Sequence, residues 1–285
     1  MTPAANVSAP SVARLPGHLV LAVAAASLAL ASCNRDKPAA PPARPPVTPA
    51  VVTPAAAGAP FDYKSADTYA DVSLKLPDGV KGQPGLHAAL YAAAVRDLKT
   101  FAEGAQADRT EAGGDGGQQP YEKTITFDPP VETGKLLSLA REDYEFTGGA
   151  HGMTNYGGVI WDKAMKRELQ PAALFKTTNL TPLDIALCAA INAEKKKRDP
   201  SAKAIGLSGG DWTCPKASDT PFVLAAGTTS GKAGGLTFLI GPYQVGSYAE
   251  GTFQVTVPQA TIRDLLSPAY ADEFAGTPLP TPPST

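Results

Sequence analysis

The sequence predicts an α+β fold, mainly antiparallel sheet with two main helices, arranged as two consecutive sub-domains. Three observations carry this reading. Short alternating or β-branched runs set off by Gly and Pro recur along the chain. Two longer segments instead repeat apolar residues every three or four positions. Strands and helices follow one another without the regular alternation of a parallel sheet.

Taken in order, residues 69–76 alternate in their second half (Val72, Leu74, Leu76) and stop at Pro77-Asp78-Gly79, a strand and a turn. Leu86, Leu90, Ala94, Leu98 and Phe101 then trace one face of a helix, which Gly104 is expected to close. His87, at the start of this helix, reads as a surface residue. Residues 111–119 form a glycine-rich loop. Residues 124–127 and 135–146 read as two strands of a hairpin or meander, divided by Asp128-Pro129-Pro130. Residues 153–162 read as a further strand with Val159 and Trp161 on one face. Thr181-Pro182-Leu183-Asp184 starts the second helix, with Thr181 as N-cap and Pro182 in the first turn. Its inward stripe is Leu183, Leu187, Ala190 and Ile191, and Asp199-Pro200 ends it. The basic run Lys195-Lys196-Lys197-Arg198 falls in its last turn, where cations suit the helix dipole. Residues 222–226, 236–240 and 252–257 are short strands, and residues 262–266 a last short helix.

The start of the chain reads as an export signal. Arg14 precedes an apolar run over residues 19–30, about 12 residues and too short for a stable bilayer span. That run ends in Leu30-Ala31-Ser32-Cys33, which resembles a bacterial lipobox. The expectation is a signal peptide over 1–32 and a mature chain beginning at lipidated Cys33, the alternative being an ordinary secretory signal with a chance cysteine. Two or three acyl chains, at roughly 0.8 kcal/mol per buried CH2, hold a protein on a membrane. Asn34, by resemblance to lipoprotein sorting in Gram-negative bacteria, favours the periplasmic face of the outer membrane. Residues 33–60 form the lipidated end and a Pro/Ala-rich linker, with eight prolines between Lys37 and Pro60. At about 3.1 Å per residue such a linker reaches about 70 Å. Residues 276–285 are expected to be an unstructured Pro/Thr tail.

Charge and cysteine content narrow the classes of partner. With 25 basic and 27 acidic residues the net charge is −2, which supplies no basic field for nucleic acid. With Cys33 assigned to lipid, Cys188 and Cys214 remain, and an even remainder in an exported chain predicts a disulfide worth about 3 kcal/mol. No CxxC or HxxxH spacing accompanies them, so neither metal nor cofactor is expected.

Catalytic patterns are weak. A serine hydrolase would need GxSxG, which is absent, and only His87 and His151 remain beyond the leader. Glu142, Asp143 and Glu145 lie near His151 in sequence, but alternate across a strand. The glycines of Thr147-Gly148-Gly149-Ala150-His151-Gly152 do not make a phosphate loop, because no GK[ST] follows. A sharp turn between paired strands is the favoured reading, and a catalytic loop the other. Tyr243 and Tyr248, at a strand end, are either core plugs or a recognition surface.

The segment Tyr144-Glu145-Phe146-Thr147-Gly148-Gly149-Ala150-His151-Gly152, the later Gly241-Pro242-Tyr243-Gln244-Val245-Gly246-Ser247-Tyr248-Ala249-Glu250-Gly251 and the closing Val255-Thr256-Val257-Pro258 resemble signatures of the RsiV/PdaC-like envelope domain family. That domain occurs in a lysozyme-sensing anti-sigma-V factor, in a peptidoglycan deacetylase beside its catalytic domain, and in many lipoproteins. The resemblance covers residues 63–270 and implies a PdaC-like α+β lobe over 61–152 and an RsiV-like lobe over 153–275. It also implies a binding or sensing module and not an enzyme, with peptidoglycan or lysozyme as partner. The binding candidates are His151, Tyr243 and Tyr248. The alternative is a hydrolase acting on peptidoglycan or a related polymer through His151.

Overall fold

A computed structural model describes residues 58–113 and 119–280. The leader, Cys33 and nearly all of the proline-rich linker lie outside the described residues, as do residues 281–285.

The first sheet begins with β1 (Asp62–Ala66) and β2 (Ala70–Lys75), an antiparallel pair. The chain crosses over through α1 (Pro84–Glu111) and returns as β3 (Tyr121–Phe127), parallel to β2. A parallel neighbour requires such a long connection, and here the helix supplies it. The remaining pairings are antiparallel: β4 (Val131–Glu132) and β5 (Leu136–Phe146), then β6 (Met153–Asp162) and β7 (Arg167–Glu168). The strand order is β1-β2-β3-β5-β6-β7, with β4 also on β5. The second sheet has the order β10-β9-β8, from β8 (Phe222–Ala226), β9 (Ala233–Ile240) and β10 (Phe253–Pro258). Against it pack α2 (Thr181–Arg198) and the one-turn α3 (Gln259–Ile262). The architecture is α+β, as the sequence predicts.

β5 and β6 are paired from Leu136↔Asp162 to Glu145↔Met153 and form a ribbon shared by two cores. Leu137, Leu139, Val159 and Trp161 face the α1 side, with Leu90, Ala94 and Leu98. Leu136 and Ile160, which alternate with them, join the core of Phe222, Phe238, Val255, Leu187 and Ile191. The two sheets meet backbone to backbone at Gly158, where a Cβ would lie 2.1 Å from the carbonyl oxygen of Phe222. Close by, the Leu224 amide donates to the buried Ser138 hydroxyl at 3.1 Å. The expected lobe boundary at 152–153 falls in the turn of this ribbon, so β6 belongs with the first sheet.

Several local expectations need correction. Gly104 does not end α1, because Ala105 and Arg109 beyond it are buried, and that packing outweighs the roughly 1 kcal/mol a helical glycine costs. His87 is 5 % exposed, packs on Phe61 with ring centroids 4.2 Å apart, and has its Nε2 3.1 Å from the Pro60 carbonyl oxygen. Thr181 is the first residue of α2 and caps nothing; the Asn179 side chain accepts from its amide at 3.2 Å. Lys195 leaves the basic run to lie buried, donating to the Val245 carbonyl at 2.8 Å and to Glu250. The tail is ordered over its first residues: the Thr228 amide donates to the Thr277 carbonyl (2.9 Å) and the Leu279 amide to that of Ala226 (2.8 Å). A free edge of backbone donors and acceptors beside β8 explains this pairing.

Cys188 and Cys214 are bonded, 2.03 Å between sulfurs, which ties α2 to the segment before β8. Among the described residues no helix is long and apolar enough to cross a membrane, and no group of three or more His, Cys, Asp or Glu is placed to hold a metal ion.

Candidate functional site

The two glycine-containing motifs, far apart in sequence, meet at one end of the β5–β6 ribbon. Gly148 and Gly149 turn the hairpin, both at φ of 92°, a left-handed conformation that side chains resist. Gly152 serves differently: a Cβ there would lie 2.4 Å from the Tyr144 ring, so glycine is required for room. The turn holds His151 exposed.

From the second motif, Tyr248 stacks on His151 with ring centroids 3.7 Å apart and planes 16° apart. Tyr243 completes the cluster, 5.5 Å from the Tyr248 ring and 6.2 Å from that of His151. The carbonyl oxygen of Gly152 accepts from the Tyr248 hydroxyl at 2.9 Å and lies 3.1 Å from His151 Nδ1. That oxygen can only accept, so Nδ1 carries a proton, and in the neutral ring Nε2 is left as acceptor, 3.4 Å from the Tyr243 hydroxyl. The structure therefore brings His151, Tyr243 and Tyr248 together.

Tyr243 is an unusual residue. Its backbone sits at φ of 64°, one of two non-glycine residues with positive φ among those described, and its ring is 46 % exposed. Such a conformation costs a bulky residue about 1–3 kcal/mol. The surroundings impose it: the Gly241 amide donates to the Gln244 side chain at 3.2 Å, and Ser247 and Glu250 form a capping box that fixes the following turn. Glu250 in turn receives Lys195, so the buried cation of α2 braces the loop carrying Tyr248.

The carboxylates near His151 in sequence go elsewhere. Asp143 accepts from Arg141, at 2.7 Å from Nε and 2.8 Å from Nη2, and Glu145 from Lys123. Glu142, on the opposite face, turns toward the second sheet and Tyr156. Among the described residues the polar neighbours of the His151 ring are the Gly152 carbonyl and the Tyr243 hydroxyl. Sequence reasoning missed Asp128 and Tyr156, which gather around Glu142 from just past β3 and from β6. It also missed Lys195, hidden within a basic run.

This geometry defines a class: a two-lobed α+β domain whose lobes are joined by an aromatic junction built from one glycine-rich hairpin and one tyrosine-bearing loop. Residues 63–154 match the family described as deacetylase PdaC, and residues 172–260 match the protein family of unknown function DUF3298. Together these two matches support the PdaC/DUF3298 envelope domain family that the sequence motifs resemble. No curated protein matches it. Among solved structures, a DUF3298 family member from Bacteroides fragilis NCTC 9343 is 18% identical, with a TM-score of 0.47 over 72% of this chain and 86% of that one. A DUF3298 family protein from Pseudomonas aeruginosa PAO1 is 16% identical, with a TM-score of 0.43 over 75% of this chain and 94% of that one. The family is envelope-related, and no catalytic activity is established for the DUF3298 half.

Proposed function

We propose that this chain is a membrane-anchored envelope lipoprotein, tethered through Cys33 on the periplasmic face of an outer membrane. In this reading its folded part is a non-enzymatic binding or sensing module for a cell-wall component or a wall-degrading enzyme such as lysozyme. The observation that carries the reading is the junction of His151, Tyr243 and Tyr248. Its outermost ring is held half exposed on a strained backbone, braced by a capping box and by the ion pair of Glu250 with the buried Lys195. Strain maintained at an exposed aromatic residue serves recognition better than packing. Tyrosines are also the anchors that carry interface energy, and their faces suit the apolar side of a sugar ring. The hydrolase alternative needs a carboxylate against His151, and the ring atoms are instead engaged by a carbonyl and a phenol.

The test is a titration of the purified protein with peptidoglycan fragments and, in parallel, with lysozyme, using wild type, Tyr243→Ala and His151→Ala. Saturable micromolar binding of either ligand, weakened about tenfold by Tyr243→Ala, is the expected result. Absence of binding to both ligands, or turnover of peptidoglycan that His151→Ala abolishes, would overturn it.

A further inference from the structure

A cavity of about 460 Å³ lies between the two sheets, away from the aromatic junction. Ala140, Val131 and Pro129 line it from the first sheet, and Val223, Ala225 and Leu239 from the second. That size and apolar lining suit a small organic molecule. Its polar groups are few and unequal. Ser138 is engaged by the Leu224 amide, and the Thr237 hydroxyl pairs with that of Thr256 at 2.9 Å. Asp128 and Glu142 are different. The Asp128 amide donates to the Ala140 carbonyl at 3.0 Å, so Asp128 opposes Ala140, and Glu142, two residues along β5, shares its face.

No lysine, arginine or histidine lines the cavity, and neither carboxylate has an ion-pair partner among the described residues. Partial burial against the second sheet raises the pKa of Asp128, which stays exposed on its other side. Glu142 is raised as well, first by burial and then by the charge of Asp128, with the Tyr156 hydroxyl pulling the other way. Glu142 is half-buried in this apolar recess, and Asp128 lines it while staying exposed to solvent; each is made harder to ionise by partial loss of solvent, Glu142 also by its neighbour, and neither has a positive charge beside it.

We infer that this cavity binds a small amphipathic cation: an apolar body resting between the sheets and one protonated amine placed by Asp128 and Glu142. The apolar walls take the body, and the ammonium supplies the positive charge that the carboxylates lack. An anion would meet two like charges, and a neutral apolar molecule would leave both unanswered. The site stands independently of the aromatic junction.

The probe is hexylammonium, with hexanol and hexanoate as parallel arms, titrated by calorimetry onto the full chain carrying Cys33→Ser. The expected result is saturable binding of hexylammonium alone, weakened about tenfold by Glu142→Gln or by Asp128→Asn. These exchanges preserve shape and relieve a repulsion, so the variants keep wild-type circular dichroism and melt no lower than the wild type. Binding unaffected by both exchanges, equal binding of the three probes, or no saturation by hexylammonium in the wild type would overturn the proposal.

Discussion

The β5–β6 ribbon carries two candidate sites of opposite design. At its hairpin end two exposed rings, His151 and Tyr243, flank the half-buried Tyr248, positioned by backbone: two positive-φ glycines, a glycine that makes room for Tyr144, and a carbonyl that receives both His151 and Tyr248. Further along, Glu142, half-buried, and Asp128, exposed just past β3, line a gap between the sheets, brought to one face by the β3–β5 register. The first site needs special residues in special places, and the second needs only that two ordinary carboxylates share a face.

The strongest way to break both sites is to part the sheets between them. Gly158→Val would drive a side chain into the Phe222 backbone and should cost about 3 kcal/mol, read as a fall in the denaturant midpoint, together with loss of ligand binding at either end. Next in size is Glu273, a carboxylate that, unlike the cavity pair, is fully answered. The Thr133 hydroxyl and Lys135 amide donate to it at 2.6 and 2.7 Å, and together they outweigh burial and hold its pKa below the ordinary value. Glu273→Gln should lose about 2 kcal/mol at neutral pH. A group with a lowered folded pKa stabilises above its unfolded value, about 4.3 for Glu, so this difference should shrink as pH falls below that value.

Smaller effects separate strain from bonding at the junction. Tyr248→Phe, which loses the hydroxyl to Gly152, should destabilise by about 1 kcal/mol. Tyr243→Gly should leave stability unchanged or raise it by about 1 kcal/mol through release of the left-handed backbone, while ligand binding falls. A large loss of stability there would mean that Tyr243 is a core plug. The smallest change belongs to the cavity. Asp128 and Glu142 have raised folded pKa values, so their contribution is complete at acid pH and is lost as pH rises through those values. Glu142→Gln should therefore gain on the wild type as pH rises, opposite in slope to Glu273→Gln.

What could be read in the sequence follows the same division. Thr147-Gly148-Gly149-Ala150-His151-Gly152 and the Tyr243 to Tyr248 segment stood out because turns and close approaches restrict residue choice. Val159 and Trp161 were legible because a strand alternates, and Leu183, Leu187 and Ile191 because a helix repeats. The Asp128, Glu142 and Tyr156 group was not legible, since Glu142 and Tyr156 come from neighbouring strands and Asp128 from the turn after a third, and only the register of those strands unites them. β1 escaped notice because Asp62-Tyr63-Lys64-Ser65-Ala66 is an edge strand, mostly exposed and without apolar alternation. The continuation of α1 past Gly104 and the ordering of the tail both arise from tertiary partners that local residues do not announce.

The junction has a bearing on the order in which the protein assembles. Its contacts join residues 92 and 96 positions apart, whereas the ribbon that carries His151 is a hairpin of near neighbours. Loop closure of that length makes such contacts slow to form. The aromatic junction is then expected to be among the last parts completed, absent from the folding transition state. Substitutions at Tyr243 and Tyr248 should consequently leave the folding rate nearly unchanged and act on the unfolding rate. The lifetime of the assembled surface, more than the speed of its formation, would be what those two tyrosines govern.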